Sequence, residues 1–221
     1  MSTSFPTLQG SVRDYEILVI GHISWNRYYG EREDNRPRGK PFTCTSTLVR
    51  GVQADGTPYV LVIDPTERVE PEEFWFDLNR RSGLRPEAVT HCFITHCHGD
   101  HAVGCNCFPQ AQWLAAPATI ERLKGTPGID ESRVLPAEGE FLPGVCVVPL
   151  PGHTRDVHGV AFCHEGRCIV ATGDAVMSRP HFRHSTCEYE EDAEAAQHSL
   201  AWVRGNADIV IPGHDNYFLV R

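Results

Sequence analysis

Residues 95–101 read THCHGDH, and this short stretch decides how the rest of the chain is to be understood. Three histidines and an aspartate fall within seven positions, around a single glycine. Such polar groups are costly to bury without partners, and neutral imidazole beside a carboxylate is the raw material of a metal site. The stretch therefore predicts half of a metal centre, with the other half supplied from elsewhere in the chain. It follows AVTHCFIT (88–95), an apolar run that reads as a buried strand. The histidines thus sit at a strand's C-terminal end, where layered α/β folds gather ligands.

Working outward, YEILVIG (15–21), FTCTSTLVRG (42–51) and PYVLVID (58–64) are β-branched and read as three strands, with ADGT turning between the last two. PEEFWFDLNRRSG (71–83) carries proline and acids at its start, then basic residues and glycine at its end, the pattern of a helix. After the histidine cluster, AVGCNCFPQAQWLAA and PATIERLKG predict a short helix, a strand and a second helix, followed by a polar connection over about 125–140. A second strand block follows in GVCVVPLP (144–151), HGVAFCH (158–164) and RCIVATGD (167–174). The helix EEDAEAAQHSLAWVRG (190–205) and the strand ADIVIPG (207–213) complete the pattern. Two segments read as loops: 22–41, which holds Trp25, Tyr28 and Tyr29, and MSRPHFRHSTCEY (177–189).

A chain of 221 residues with 41% hydrophobic content is long enough for a proper core. It is expected to form one domain built from two αβ halves, about 1–125 and 126–221. The N-terminus lacks a basic segment followed by a long apolar run, and no stretch reaches the length of a membrane span, so the expected location is the cytoplasm. Nine cysteines, odd in number and without paired CxxC spacing, read as free thiols. In FCHEGRC a hairpin turning at Glu165 and Gly166 would set Cys163 opposite Cys168, the one place where a disulfide is considered. Cys97, Cys105 and Cys107 are expected to pack. Acidic residues outnumber basic ones 29 to 20, for a formal charge of −9, which gives no support to a nucleic-acid partner.

Each later strand ends in a further candidate ligand within a turn: His153 in LPGHT, Asp174 in ATGDA and His214 in IPGHD. With His96, His98, Asp100 and His101 they make seven histidines and aspartates at strand ends. Any one of them alone would be read as a capping or core polar residue; the set of seven is not.

In this order the motifs HCHGDH, GHT, GD and GH resemble the metallo-β-lactamase superfamily, over about residues 15–216. The resemblance implies an α/β fold, the four-layer αββα sandwich with metals at one edge. Position by position, it implies that His96, His98 and His153 hold a first metal, that Asp100, His101 and His214 hold a second, and that Asp174 bridges them. Asp64, which ends LVID, matches an aspartate that supports such a site from behind. Two divalent ions are implied; zinc suits the donor mixture, and iron or manganese also accept nitrogen and oxygen ligands.

The activity implied is that of a metallo-hydrolase in which a metal-bridging hydroxide attacks a small ester, lactone, amide or thioester, with Asp100 moving the proton. THCHGDHAVGCNCFPQA is similar to the corresponding run of the small lactonase-like members. With seven residues after His214, the helical domain that holds glutathione thioesters in glyoxalase II is not expected. Arg155 and Asp156 in GHTRDVHG depart from the small residues usual there. Trp25, Tyr28, His181, Arg183, His184 and Tyr189 are the candidate substrate contacts. The expected partner is a small molecule, with no membrane, and a homodimer is compatible with the sequence. Two other readings use the same residues: a metal-dependent phosphodiesterase or nuclease, and a mononuclear iron dioxygenase of the persulfide type.

Overall fold

Successive residues of Tyr59-Val60-Leu61-Val62-Ile63 face two different apolar layers, and both layers are closed. Tyr59, Leu61 and Ile63 pack with Phe93, Val145, Val160, Phe162 and Ile169. Val60 and Val62 pack with Leu18, Leu48, Phe74 and Leu78. A strand buried on both faces requires a continuous apolar run in place of strict alternation, which is why PYVLVI contains so little polar punctuation.

The computed structural model describes residues 4–22, 43–185 and 189–220. Strands β1 (Val12–Val19), β2 (Ser46–Val52) and β3 (Pro58–Ile63) form an antiparallel meander. To it β4 (His91–Ile94), β5 (Gln112–Ala115) and β6 (Val134–Pro136) add in parallel, giving a six-stranded sheet in chain order. The second sheet repeats the plan. Strands β7 (Glu140–Leu142), β8 (Val145–Pro149), β9 (His158–His164) and β10 (Arg167–Ala171) are antiparallel. Next to β10, β11 (Ile209–Ile211) is parallel, and β12 (Phe218–Leu219) closes the edge. The strands therefore change sheet between Pro136 and Glu140.

Helix α1 (Pro71–Ser82) opens on a proline with Glu72 and Glu73 in its first turn and stops at Gly83, whose φ of 71° lets its N–H bond to the Asn79 carbonyl. Phe74 and Leu78, one turn apart, bury its inner face against the first sheet. Two short helices follow, α2 (Gly99–Ala102) and α3 (Pro117–Leu123). After β10 come α4 (Arg179–His184) and α5 (Ala193–Asn206). The Asp192 side chain caps α5 by accepting from Ala195 N, and Leu200 and Val203 pack with Val148, Ala161 and Val170 of the second sheet and with Leu150 just beyond β8. Three apolar layers separate helices, sheet, sheet and helices, the αββα sandwich expected from the sequence.

Two segments depart from that expectation. The connection at 125–140 contains β6, whose three residues add to the open edge of β5. The stretch 177–189, read as a loop, contains α4; the Ser178 hydroxyl accepts from His181 N to start it. Cys97, Cys105 and Cys107 are packed in the apolar layer outside the first sheet. All eight described cysteines are free thiols. Among the described residues no helix is long and apolar enough to cross a membrane.

Candidate metal centre

The ends of β4, β8, β10 and β11 converge at one edge of the sandwich, and the seven predicted residues meet there in two groups. In the first, one donor atom each of His96, His98, His153 and Asp174 lies within 4.8 Å of all the others. Asp100, His101 and His214 form the second group on the same criterion. His96 and His101 are wholly buried and Asp174 is 2% exposed, whereas His98 reaches solvent.

Asp174 stands between the groups with one oxygen toward each. Its Oδ2 lies 3.3 Å from His153 Nε2 and 3.8 Å from His96 Nε2. Its Oδ1 lies 3.2 Å from His101 Nε2 and 3.3 Å from His214 Nε2. The turn that delivers it depends on two glycines. Gly173 has a φ of 51°, and a Cβ there would stand 2.4 Å from Thr95 Oγ1. At Gly213 a Cβ would stand 2.0 Å from Asp174 Oδ1 itself.

Hydrogen bonds on the far ring nitrogens fix which lone pairs face inward. His101 Nδ1 donates to Asp64 Oδ2 at 2.8 Å. Thr95 Oγ1 donates to the same Oδ2 at 2.8 Å and accepts from His96 Nδ1 at 3.0 Å. His214 Nδ1 donates to the Thr43 carbonyl at 3.0 Å. Each ring therefore carries its hydrogen outward and presents Nε2 to the centre. His98 presents Nδ1 instead, 3.1 Å from both His96 Nε2 and His153 Nε2. Facing lone pairs at such distances repel unless a positive charge lies between them. Asp174 Oδ1 is also buried with no hydrogen-bond partner among the described residues. The donor set thus fits divalent-cation binding on the chemistry of its own atoms.

The electrostatics divide the two groups. Burial, reinforced by the neighbouring His101, pushes His96 well below the ordinary imidazole range, against the pull of Asp174. Burial likewise lowers His153. His101 goes the other way: burial opposes its protonation, but Cys44, Asp174, Asp64 and Asp100 outweigh it and hold the ring well above the usual value. His214 is raised, with Asp174 overcoming burial. Burial disfavours the Asp174 carboxylate too, but His214, His101 and His153 keep it well below the usual carboxylate range.

Asp64 is 2% exposed and holds three donors, since its Oδ1 also accepts from Thr95 N at 2.8 Å. Its backbone φ of 47° lies in the left-handed region. Sequence reasoning missed two other supports. Cys44 is buried with its Sγ 3.1 Å from the Asp100 carbonyl and 3.4 Å from that of Asp64; burial pushes its thiol up to about 11, so it remains a donor. Asp156, noticed in the sequence only as a departure, is 1% exposed and accepts from Cys97 N, between two histidines of the first group. Arg122 stands 3.3 Å from Asp156 and binds Glu191 through two hydrogen bonds, while Glu191 N donates to the His153 carbonyl. This chain of contacts ties the His98 turn to the His153 turn. The only sequence sign of it was an acid where a small residue is usual.

The candidate substrate contacts are scattered. Trp25 and Tyr28 lie outside the described residues. His181 is 3% exposed; its Nδ1 accepts from Met177 N, and its Nε2 lies 3.4 Å from Glu190 Oε1. Arg183 lines a cavity of about 680 Å³ with Arg179, Phe182, Tyr217 and Phe218. His184 and Tyr189 are exposed.

Residues 39–214 match the family model described as the metallo-beta-lactamase superfamily. The chain is 30% identical over 183 residues to metallo-beta-lactamase domain-containing protein 1 of Xenopus laevis, covering 76% of this chain and 74% of that one. Its Mus musculus counterpart is 33% identical over 142 residues, 62% of this chain and 53% of the relative, so the chain spans about half of that protein's length. Among solved structures, a quorum-quenching N-acyl homoserine lactone lactonase superposes with a TM-score of 0.64 at 17% identity, over 94% of this chain and 99% of its own. That likeness is one of fold. Both sheets, the order of the seven residues and the matched span agree: this chain belongs to the metallo-beta-lactamase superfamily.

Proposed function

We propose that this protein is a metal-dependent hydrolase whose site takes two divalent cations, zinc by preference, and acts on a small ester, lactone, amide or thioester. The observation that carries the reading is Asp174, a buried carboxylate with one oxygen facing each of two donor groups. His96, His98 and His153 would hold one ion and Asp100, His101 and His214 the other, with Asp174 shared. Cations held there supply Lewis acidity for a developing oxyanion and acidify water near neutral pH.

The residues of the chain do the rest. Asp64, Thr95 and the Thr43 carbonyl orient the rings, so the donors need not reorganise when a ligand arrives. The burial of His96 and His101 keeps bulk water from the inner wall. Asp100 is only partly buried at the mouth, with Oδ2 3.4 Å from His214 Nε2, and is the carboxylate placed to take a proton from attacking water and return it to the leaving group. The solved lactone lactonase shares the fold, and the substrate class proposed here is one that lactones on the test panel can check.

The test is metal content per chain in protein purified without chelator, followed by turnover of lactones, thioesters, β-lactams and phosphodiesters. Two zinc ions per chain, and loss of both metal and turnover in Asp174→Ala, are expected. A single iron per chain, or an Asp174→Ala protein with full activity, would overturn the proposal. Turnover of phosphodiesters alone would keep the centre and replace the substrate class.

A further inference from the structure

The tip of the second sheet, at the β9–β10 hairpin, holds a pair of thiols that the metal chemistry does not use. The strands turn through Glu165 and Gly166, with φ of 49° and 73°, the two left-handed residues of a tight hairpin turn. The register then pairs His164 with Arg167 and Cys163 with Cys168. In a two-residue hairpin the pair next to the turn exchanges hydrogen bonds and the following pair does not. Cys163 and Cys168 therefore occupy the kind of site where Cα atoms approach to about 4.5 Å, within the span a disulfide requires. Their side chains leave the same face, and the two Sγ atoms already lie 3.5 Å apart.

Two more observations separate this pair from the other described cysteines. Cys44, Cys92, Cys97, Cys105, Cys107 and Cys146 are buried, whereas Cys163 and Cys168 are partly exposed. The backbone of Cys168 is also pinned from the far side, its N–H donating to Asp208 Oδ2 at 2.8 Å and its carbonyl accepting from Asp208 N at 2.8 Å. One thiol is thus anchored and the other faces it across the strand pair, in reach of a dissolved oxidant.

We infer that Cys163 and Cys168 form an oxidisable dithiol that closes reversibly to an intrachain disulfide when a small-molecule disulfide is supplied as oxidant. The two thiols face each other symmetrically across the strand pair, so either one, once deprotonated, can open the reaction; with Cys168 leading, the steps are these. The Cys168 thiolate bonds to one sulfur of the small disulfide and expels the other half as a thiolate. Cys163 then loses its proton and attacks Cys168 Sγ, expelling the second small thiolate. Two thiols are oxidised, one disulfide is reduced to two small thiols, and the protons go to the released thiolates.

Trypsin cuts after Arg167, between the two cysteines, so the bond can be read directly. The protein is equilibrated with excess glutathione disulfide, alkylated, and digested without reductant. Peptides 156–167 and 168–183 are expected to appear covalently joined as the major form, to separate after dithiothreitol, and to be absent as a joined pair from Cys163→Ser and Cys168→Ser, whose melting temperatures verify that they fold. Glutathione adducts without the joined pair would overturn the inference. So would a bridge from either cysteine to a different thiol, or joined peptides that persist in one of the serine variants.

Discussion

Asp64→Asn tests whether a carboxylate that touches no cation nevertheless sets its affinity. Asparagine keeps the volume and tolerates the left-handed backbone at φ 47°, so the substitution isolates one oxygen. Asp64 Oδ2 receives His101 Nδ1 and Thr95 Oγ1, and Oδ1 receives Thr95 N. An amide that keeps the Thr95 N bond turns its NH2 toward His101. The ring can then pair with it only by moving its hydrogen to Nε2, the atom that faces Asp174 and His214. Loss of such an outer partner costs roughly 10–100-fold in metal affinity, about 1.4–2.8 kcal/mol. The flipped amide spares His101 but faces the buried Thr95 N–H with a second donor, at about 1–3 kcal/mol of folding stability. Competition against a chromogenic chelator reads the first outcome and thermal melting in excess chelator reads the second. The deficit should fall in the group containing His101. An Asp64→Asn protein with both metal affinities within about twofold of the parent and an unchanged melt would refute the reasoning.

Gly213→Ala puts a methyl group 2.0 Å from Asp174 Oδ1, so the shared carboxylate must leave its place; metal affinity should fall by at least about tenfold in the same chelator titration. Asp156→Ala strips the Cys97 N–H of its acceptor and leaves Arg122 with Glu191 alone; a loss of roughly 1–3 kcal/mol in urea unfolding is expected, with weaker binding in the His96, His98 and His153 group. As pH falls, protons should displace the ions in two steps. His101 and His214, raised, bind protons at higher pH than His96 and His153, which are lowered, so the ion held by Asp100, His101 and His214 leaves first. Metal content after dialysis at stepped pH should pass through one ion per chain, and His214→Ala should remove only that acid-labile ion; a single concerted loss would contradict the sign of these shifts.

The cluster of candidate donors was legible because its residues obey local rules. Four donors share one turn after β4, and His153, Asp174 and His214 each follow a glycine at a strand end. Asp64 was visible for the same reason, at the end of an apolar run. What escaped depends on placement in three dimensions. Nothing about Asp156 in GHTRDVHG says that its carboxylate reaches Cys97, or that Arg122 joins it to Glu191 sixty-nine positions later. Strand β6 is three residues ending in Leu135 and Pro136, too short and too poor in β-branched residues to announce itself before β5 offers an edge. Helix α4 carried start signals in Ser178 and Pro180, but six residues rich in histidine and arginine look like a loop until Phe182 finds its place in the apolar layer under α5.

Neither sheet owns a complete donor group. The first group takes His96 and His98 from the turn after β4 and His153 and Asp174 from the other sheet; the second takes Asp100 and His101 from one and His214 from the other. A cation in either group is therefore a clasp between the halves of the sandwich, and it strengthens their closure by about 4 kcal/mol at a thousandfold excess over its Kd. Metal supply would then set how long the protein survives as well as how fast it works. If the site is loaded as proposed, metal shortage would open the clasps, the strand layers would part more often, and proteases would meet a chain that is not merely idle but shorter-lived.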